Sequence, residues 1–380
     1  MEDWKIKKTE VLDKAKRIVV KVGSAVLTTG SGLDQNVVKS LAKDIAALVK
    51  QGREVLLVTS GAVAAGRAVI RQNDLDGLPD RQAASAIGQS RLMHAYDQAF
   101  GDYGIVTAQL LLTRDDLEGR ERYLNVRNTL RTLLSWHCLP VVNENDTVAV
   151  QELVYGDNDC LSSLLVGVVG ADLFVNLTSA KGVYTENPEE NPGASCHPCL
   201  EGIGSLDLET MCRGKTVSGT GGMHSKLLAA RRAAQLGVPT LIVSGREHDR
   251  MSRVFAGEDL GTWVPADARA ISRRKFWLAY TSEPKGELWI DTGAAQALRQ
   301  GGKSLLPAGI VRVEGEFEKG AIVRILDFQG QTVGVGLANY DCAEMKKIMG
   351  LKSAKIEQVL GQAPYPEAVH RDNMVLDAAL

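Results

Sequence analysis

The residues best suited to chemistry lie in Gly219-Thr220-Gly221-Gly222-Met223-His224-Ser225-Lys226, which runs directly into Leu227-Leu228-Ala229-Ala230-Arg231-Arg232-Ala233-Ala234. Three glycines in eight residues oppose any regular element, each costing about 1 kcal/mol against alanine. They do let backbone N–H groups approach an anion closely where an alanine-rich helix begins and its dipole favours negative charge. Lys226 follows about one turn into that helix, within reach of the same anion. The segment reads as a phosphate cradle with its own lysine. It is neither Gly-x-x-x-x-Gly-Lys-Ser/Thr nor Gly-x-Gly-x-x-Gly. A flexible surface loop ahead of a helix is the plainer alternative.

Further polar clusters follow short apolar runs. Lys21-Val22-Gly23-Ser24 closes Arg17–Val22, and Thr59-Ser60-Gly61-Ala62 closes Glu54–Thr59. Asn143-Glu144-Asn145-Asp146 follows Leu139–Val142, Gly156-Asp157-Asn158-Asp159 opens a helical stretch, and Thr178-Ser179-Ala180-Lys181-Gly182 follows Asp172–Leu177. Each alone reads as an ordinary turn. Five together, at element ends, read as one site.

The elements that must position them alternate. Strands are expected at 17–22, 54–59, 139–142, 172–177 and 240–243. Helices are expected at 37–49 and around 82–100, 120–136, 159–169 and 224–236. Near-continuous apolar strands alternating with helices predict an open, mostly parallel α/β sheet sandwiched by helices. Ligands of such sheets gather at the carboxyl ends of the strands, where these clusters fall.

Composition narrows the class. At 380 residues the chain is expected to form two domains, and 44% hydrophobic with only 5% aromatic residues suits an α/β enzyme. A formal net charge of −2 gives no global reason to expect nucleic acid or an anionic membrane. The opening Met1-Glu2-Asp3-Trp4-Lys5 lacks the apolar core of a signal peptide, and the most apolar run, Leu161–Leu177, is interrupted by Asp172. A cytoplasmic protein is expected. Of six cysteines only Cys196-His197-Pro198-Cys199 has ligand-like spacing, and no second pair completes it, so reduced loop thiols are expected there rather than a metal centre.

The pattern changes near residue 262. A polar connector is expected at 263–275. Short glycine-separated runs with period two follow at 286–291, 308–313, 320–325 and 332–336, with helices at 292–299 and 342–348. They predict a small β-rich domain over 276–360, ahead of a tail at 361–380.

Taken together, these residues resemble the amino acid kinase family, and within it the bacterial two-domain glutamate 5-kinases. The likeness runs through Val20-Lys21-Val22-Gly23-Ser24, Val58-Thr59-Ser60-Gly61-Ala62, Ala65-Gly66-Arg67, Gly88-Gln89-Ser90-Arg91-Leu92, Leu112-Thr113-Arg114 and Arg120–Asn125. It continues through Asn143–Asp146, Gly156–Asp159, Gly219–Met223 and Lys226. Leu305–Ile310 and Ala368–Asp372 look like the PUA domain that bacterial members append. The lysine–glycine opening is shared across amino acid kinases, whereas the Asn143–Asp146 and Gly156–Asp159 pair is more specific to the glutamate enzymes.

The resemblance implies a catalytic domain over 1–262 that moves the γ-phosphate of ATP, carried with Mg²⁺, onto the side-chain carboxylate of L-glutamate. It implies the first step of proline biosynthesis, with proline as feedback inhibitor, a dimer or tetramer, and the next enzyme of the pathway as a partner. By resemblance Lys21 and Lys226 stabilise the phosphoryl group, and Asp159 holds the two ammonium groups. Ser60, Asn143, Asp146, Asp157 and Asn158 would bind glutamate. Lys21, Gly23, Thr178, Ser179, Lys181, Gly182, Thr220, Gly221, Gly222, Met223, His224, Ser225 and Lys226 would bind the nucleotide. Ser179 departs from the family pattern, which has aspartate there. Two other readings remain. One is a sister kinase acting on acetylglutamate, aspartate, carbamate or a nucleoside monophosphate. The other is RNA binding through the C-terminal domain, which the ten basic and ten acidic side chains of 276–360 disfavour.

Overall fold

The computed structural model describes residues 3–30, 32–70, 77–148, 157–188, 190–212, 222–268, 270–280, 284–361 and 365–376. The chain divides into two compact units, Met1–Ala270 and Ile271–Leu380.

In the first unit, seven strands form one sheet: β1 (Arg17–Val22), β2 (Glu54–Val58), β3 (Thr107–Leu112), β4 (Leu139–Glu144), β5 (Leu173–Thr178), β6 (Thr240–Ser244) and β7 (Thr262–Val264). Their order is β3-β4-β2-β1-β5-β6-β7, parallel except for β7, which runs antiparallel to β6. Residues of β4, β5 and β6 are buried throughout, as expected of valine- and leucine-rich strands covered on both faces. The chain places β2 on one side of β1 and β5 on the other. That makes the carboxyl end of β1 a topological switch point.

The principal helices of this unit are α1 (Asp3–Lys14), α2 (Gln35–Lys50), α3 (Ala62–Ile70), α4 (Leu78–Gly101), α5 (Arg120–Ser135), α6 (Asp157–Val169), α7 (Met223–Gln235) and α8 (Arg250–Phe255). Asp34 starts α2 by accepting from the backbone N–H groups of Asn36 and Val37. The apolar stripe Val38, Leu41, Ile45 and Leu48 then buries itself in the main core. Two glycines let α3 and α4 touch backbone to backbone. A Cβ on Gly66 would lie 1.8 Å from the Ala84 carbonyl oxygen, and one on Gly88 1.8 Å from that of Ala62. This contact fixes the height of α4 beneath the site.

Two differences from the sequence reading concern edges. Thr262–Val264 is the last strand of this sheet, whereas the pattern placed a connector from 263. Three residues are too few to show a period. The edge strand β3 carried no clear signal either, being only half-buried over most of its length.

The second unit holds β8 (Gly286–Ile290), β9 (Ile310–Gly315), β10 (Ile322–Leu326), β11 (Thr332–Leu337) and β12 (Met374–Leu376), in the order β9-β8-β10-β11-β12. Only β8 and β10 run parallel. A core of Leu288, Ile290, Val323, Ile325, Val333, Tyr340 and Met345 lies beneath α10 (Thr292–Gly301) and α11 (Cys342–Ile348), with α9 (Arg273–Tyr280) packed on β11 and β12. Part of the expected tail is strand: Met374–Leu376 pairs with Gly334–Gly336. Gly334 permits this approach, since a Cβ there would meet the Val375 carbonyl oxygen at 2.3 Å.

Candidate active site

Alternation along β1 and β5 places Lys21 and Asn176 in register on the same face, at the carboxyl end of the sheet. Asp159 comes up to them from the first turn of α6, and Lys226 from the first turns of α7. Lys21 Nζ lies 2.6 Å from Asp159 Oδ1, and Lys226 Nζ lies 3.1 Å from Oδ2. Each carboxylate oxygen also accepts from a neutral donor, Asn176 Nδ2 at 3.2 Å on Oδ1 and Ser225 Oγ at 2.7 Å on Oδ2. All three charged groups are buried, Asp159 completely.

The electrostatics follow from that geometry. Burial lowers the Lys21 pKa to about 8, even though Asp159 opposes the shift, and the neighbouring Lys226 ammonium adds to it. For Asp159 burial is the largest single influence and pushes upward. The two ammonium groups and the Lys21 and Ser225 hydrogen bonds together outweigh it and hold the carboxyl down at about 2. Asp159 therefore stays ionised and keeps two mutually repelling cations together. Its negative charge also suits the helix N-terminus it occupies, whereas Lys226 alone would oppose the dipole of α7.

A neutral relay adjoins this centre. Asn158 Nδ2 donates to Ser60 Oγ at 3.0 Å and to Asn143 Oδ1 at 3.1 Å. Asn143 Nδ2 donates to Gln89 Oε1 at 2.8 Å. The Glu144 backbone N–H donates to both Asn143 Oδ1 and Asn158 Oδ1. Asp146 accepts from Ser85 Oγ at 2.6 Å. Thr59 Oγ1 donates to the Ser60 carbonyl, so the buried Tyr96 hydroxyl, 2.7 Å away, is the donor to Thr59. Gly61 takes the sharp turn after Ser60 at φ +103°, a region that favours glycine.

Of the nucleotide set, Gly222 caps α7, Met223 and His224 open it, and Ser225 turns to Asp159. Gly23 lies beside Lys21, 3.6 Å from its Nζ when a Cβ is added. Thr178 is buried at the end of β5 beside Ser244, and Ser179 and Lys181 are exposed. Gly182 is buried against side chains: a Cβ would lie 2.5 Å from Cys196 Sγ and 2.7 Å from Thr262 Oγ1. Thr220, Gly221 and the Asp157 side chain lie outside the described residues. Gln89, Ser85, Tyr96 and Asn176 escaped the reading of roles. Gln89 stood within a motif, but the others look like ordinary helix and strand residues until the fold brings them in.

Cys196 Sγ faces Thr262 Oγ1 at 3.5 Å, and the six cysteines are free thiols. Among the described residues no group of three or more His, Cys, Asp or Glu side chains is arranged to hold a metal ion. No described helix is long and apolar enough to cross a membrane.

Comparison with known proteins gives the family. Residues 16–244 match the amino acid kinase family and residues 286–360 the PUA domain. Over 379 residues, 100% of both chains, the sequence is 58% identical to a protein of Oleidesulfovibrio alaskensis named glutamate 5-kinase. The chain belongs to the amino acid kinase family, in its glutamate 5-kinase branch. Members of that branch from Maridesulfovibrio salexigens and Geobacter sulfurreducens are 57% and 46% identical, over 98% and 96% of this chain and 99% of theirs. Among solved structures, a UMP kinase from Bacillus anthracis superposes with a TM-score of 0.48 at 17% identity, over 67% of this chain and 97% of that one. As a member of the branch, the chain is a phosphotransferase; Lys21 at the end of β1, Asp159 on α6 and Lys226 on α7 meet in its structure.

Proposed function

We propose that this protein transfers the γ-phosphate of ATP to the side-chain carboxylate of L-glutamate, giving γ-glutamyl phosphate and ADP. The observation that carries the reading is the pair of buried lysines on opposite oxygens of Asp159. The relatives' name, glutamate 5-kinase, supplies the acceptor. A carboxylate is already ionised near neutral pH, so the reaction needs no general base. What it needs is help bringing two anions together and stabilising charge on the phosphoryl group in flight.

Lys21 and Lys226 suit that task, converging from β1 and α7, with Asp159 fixing their separation. Gly23 and the Gly222 end of α7 offer backbone N–H groups to phosphate oxygens. Ser60, Asn143, Asp146, Asp157 and Asn158 would take the α-ammonium and the carboxylates of glutamate. Thr178, Ser179, Lys181, Gly182, Thr220, Gly221, Met223, His224 and Ser225 would complete the nucleotide side. Both Asp159 oxygens are committed to ammonium and neutral donors, so that carboxylate does not suit Mg²⁺. The magnesium ion of this proposal is held by phosphate and water oxygens.

The wider reading is a cytoplasmic enzyme of proline biosynthesis, assembled as a dimer or tetramer and handing its labile product to the next enzyme. Proline inhibition is part of it. Millimolar proline should lower the rate at subsaturating glutamate, and an unchanged rate would remove that part. The acceptor is tested by steady-state ADP release. L-Glutamate should support turnover while N-acetylglutamate, aspartate, carbamate and UMP do not. Turnover with one of those instead would move the chain to a sister kinase.

A further inference from the structure

Ser85, Gln89 and Tyr96 stand four and seven residues apart on α4, on one helical face. Each reaches a different member of the expected glutamate set: Asp146, Asn143 and, through Thr59, the Ser60 backbone. Gln89 differs from the other two. It is only 8% exposed, and its Nε2 is buried with no hydrogen-bond partner. An unmet buried donor costs about 1–3 kcal/mol, and such a group calls for a reason.

The reason lies in a group that cannot turn. The Glu144 backbone N–H donates to Asn143 Oδ1 at 2.9 Å and Asn158 Oδ1 at 3.3 Å, which sets both carboxamides. Asn143 must then point Nδ2 at Gln89, and Gln89 must answer with Oε1 and leave Nε2 over. In the other direction, Asn158 must point Nδ2 at Ser60. The Ser60 oxygen accepts that hydrogen bond, so its own proton is free to be given to something else.

We propose that Gln89 is a positioning residue for the acceptor substrate: its Oε1 holds Asn143 in the orientation the Glu144 N–H sets, and the chain from Asn143 through Asn158 presents the Ser60 hydroxyl as a donor and selects a carboxylate at that point. The assignment rests on the glutamate reading above and deepens it. Gln89 itself need not touch substrate. Reversal of the relay would leave Ser60 offering a lone pair, which suits an ammonium group instead.

The test compares Gln89→Met, which keeps the shape and removes the acceptor, with Gln89→Glu, which keeps an acceptor oxygen facing Asn143. The Glu variant is assayed at pH 6.5, where burial favours its neutral form. Gln89→Met should raise the KM for glutamate about tenfold, the worth of a buried hydrogen bond, with kcat and the KM for ATP within about twofold. Gln89→Glu should stay within about threefold of the parent KM. In an Asn143→Ala background, Gln89→Met should add nothing, because its route is already cut. An unchanged KM, equal losses in all three constants, an equal rise with Gln89→Glu, or an undiminished effect in the Asn143→Ala background would each overturn the assignment. Absence of glutamate turnover in the parent enzyme is a separate outcome and overturns the acceptor reading instead.

Discussion

Lys21 and Lys226 are drawn together by a single carboxylate, one ammonium group on each oxygen of Asp159, at 2.6 and 3.1 Å. Two cations in a buried site repel each other strongly, so their partner serves structure and chemistry together. Removing it should show in both. Asp159→Asn should lower kcat by about 10²–10³, comparable to losing a preorganised charge-stabilising group. It should also lower stability by about 3–5 kcal/mol, the usual result of leaving buried charge uncompensated. Steady-state kinetics and urea unfolding of the same preparation check both numbers.

The pH dependence has two windows with known signs. Lys21 has its pKa lowered to about 8 by burial, from an ordinary 10.5. Between those values the unfolded chain holds more protons at this site than the folded one, so its contribution to stability rises with pH through that window. Activity runs the other way. The kcat/KM for ATP should fall as pH rises through about 8 in the free enzyme, since a neutral Lys21 cannot stabilise phosphoryl charge. Asp159, held down at about 2 from 3.8, contributes stability that is present above 3.8 and lost as pH falls toward 2. A kcat/KM profile from pH 6 to 10, with Lys21→Arg as control, tests the basic limb. The guanidinium stays charged, so the limb should disappear in that variant.

Ser225, proposed for the nucleotide side, also donates its hydroxyl to Asp159 Oδ2 at 2.7 Å. Ser225→Ala should reduce kcat about five- to tenfold, the worth of one hydrogen bond to a charged group, and leave the KM for glutamate unchanged. A rise in the KM for ATP alone, without loss of kcat, would leave Ser225 a nucleotide contact only.

The glycine contact between α3 and α4 holds Gln89, Ser85 and Tyr96 at their working height. Gly88→Ala would put a methyl group 1.8 Å from the Ala62 carbonyl oxygen, so one helix must move. A loss of about 3 kcal/mol in stability is expected, together with a raised KM for glutamate. Denaturant midpoints set beside the kinetics decide this. Unchanged stability would mean that α4 is free to shift.

Much of this was legible before the fold was known. The lysine–glycine end of β1, the glycine-rich start of α7 and the acidic start of α6 announce themselves because glycine and paired charge are costly anywhere else. Buried strands show as apolar runs, unbroken over Val55–Val58 in β2 and interrupted only by Asn176 over Leu173–Leu177 in β5. Asn176, Tyr96 and Ser85 gave no such signal. A lone polar residue inside a strand or helix becomes informative only when the fold supplies its partner, Asp159, Thr59 or Asp146. Gln89 was visible within a motif, but its direction depends on the Glu144 N–H, a backbone group with no trace in the residue types. The short edges β7 and β12 were missed because three residues carry no period.

The central claim is phosphoryl transfer to a carboxylate by two lysines held on one aspartate, and an acyl phosphate can be trapped. Hydroxylamine should convert the product to γ-glutamyl hydroxamate, dependent on ATP and free L-glutamate. N-Acetylglutamate should give none, and Lys226→Ala should lose nearly all of it. ADP release without hydroxamate, or hydroxamate formation undiminished in Lys226→Ala, would contradict the account.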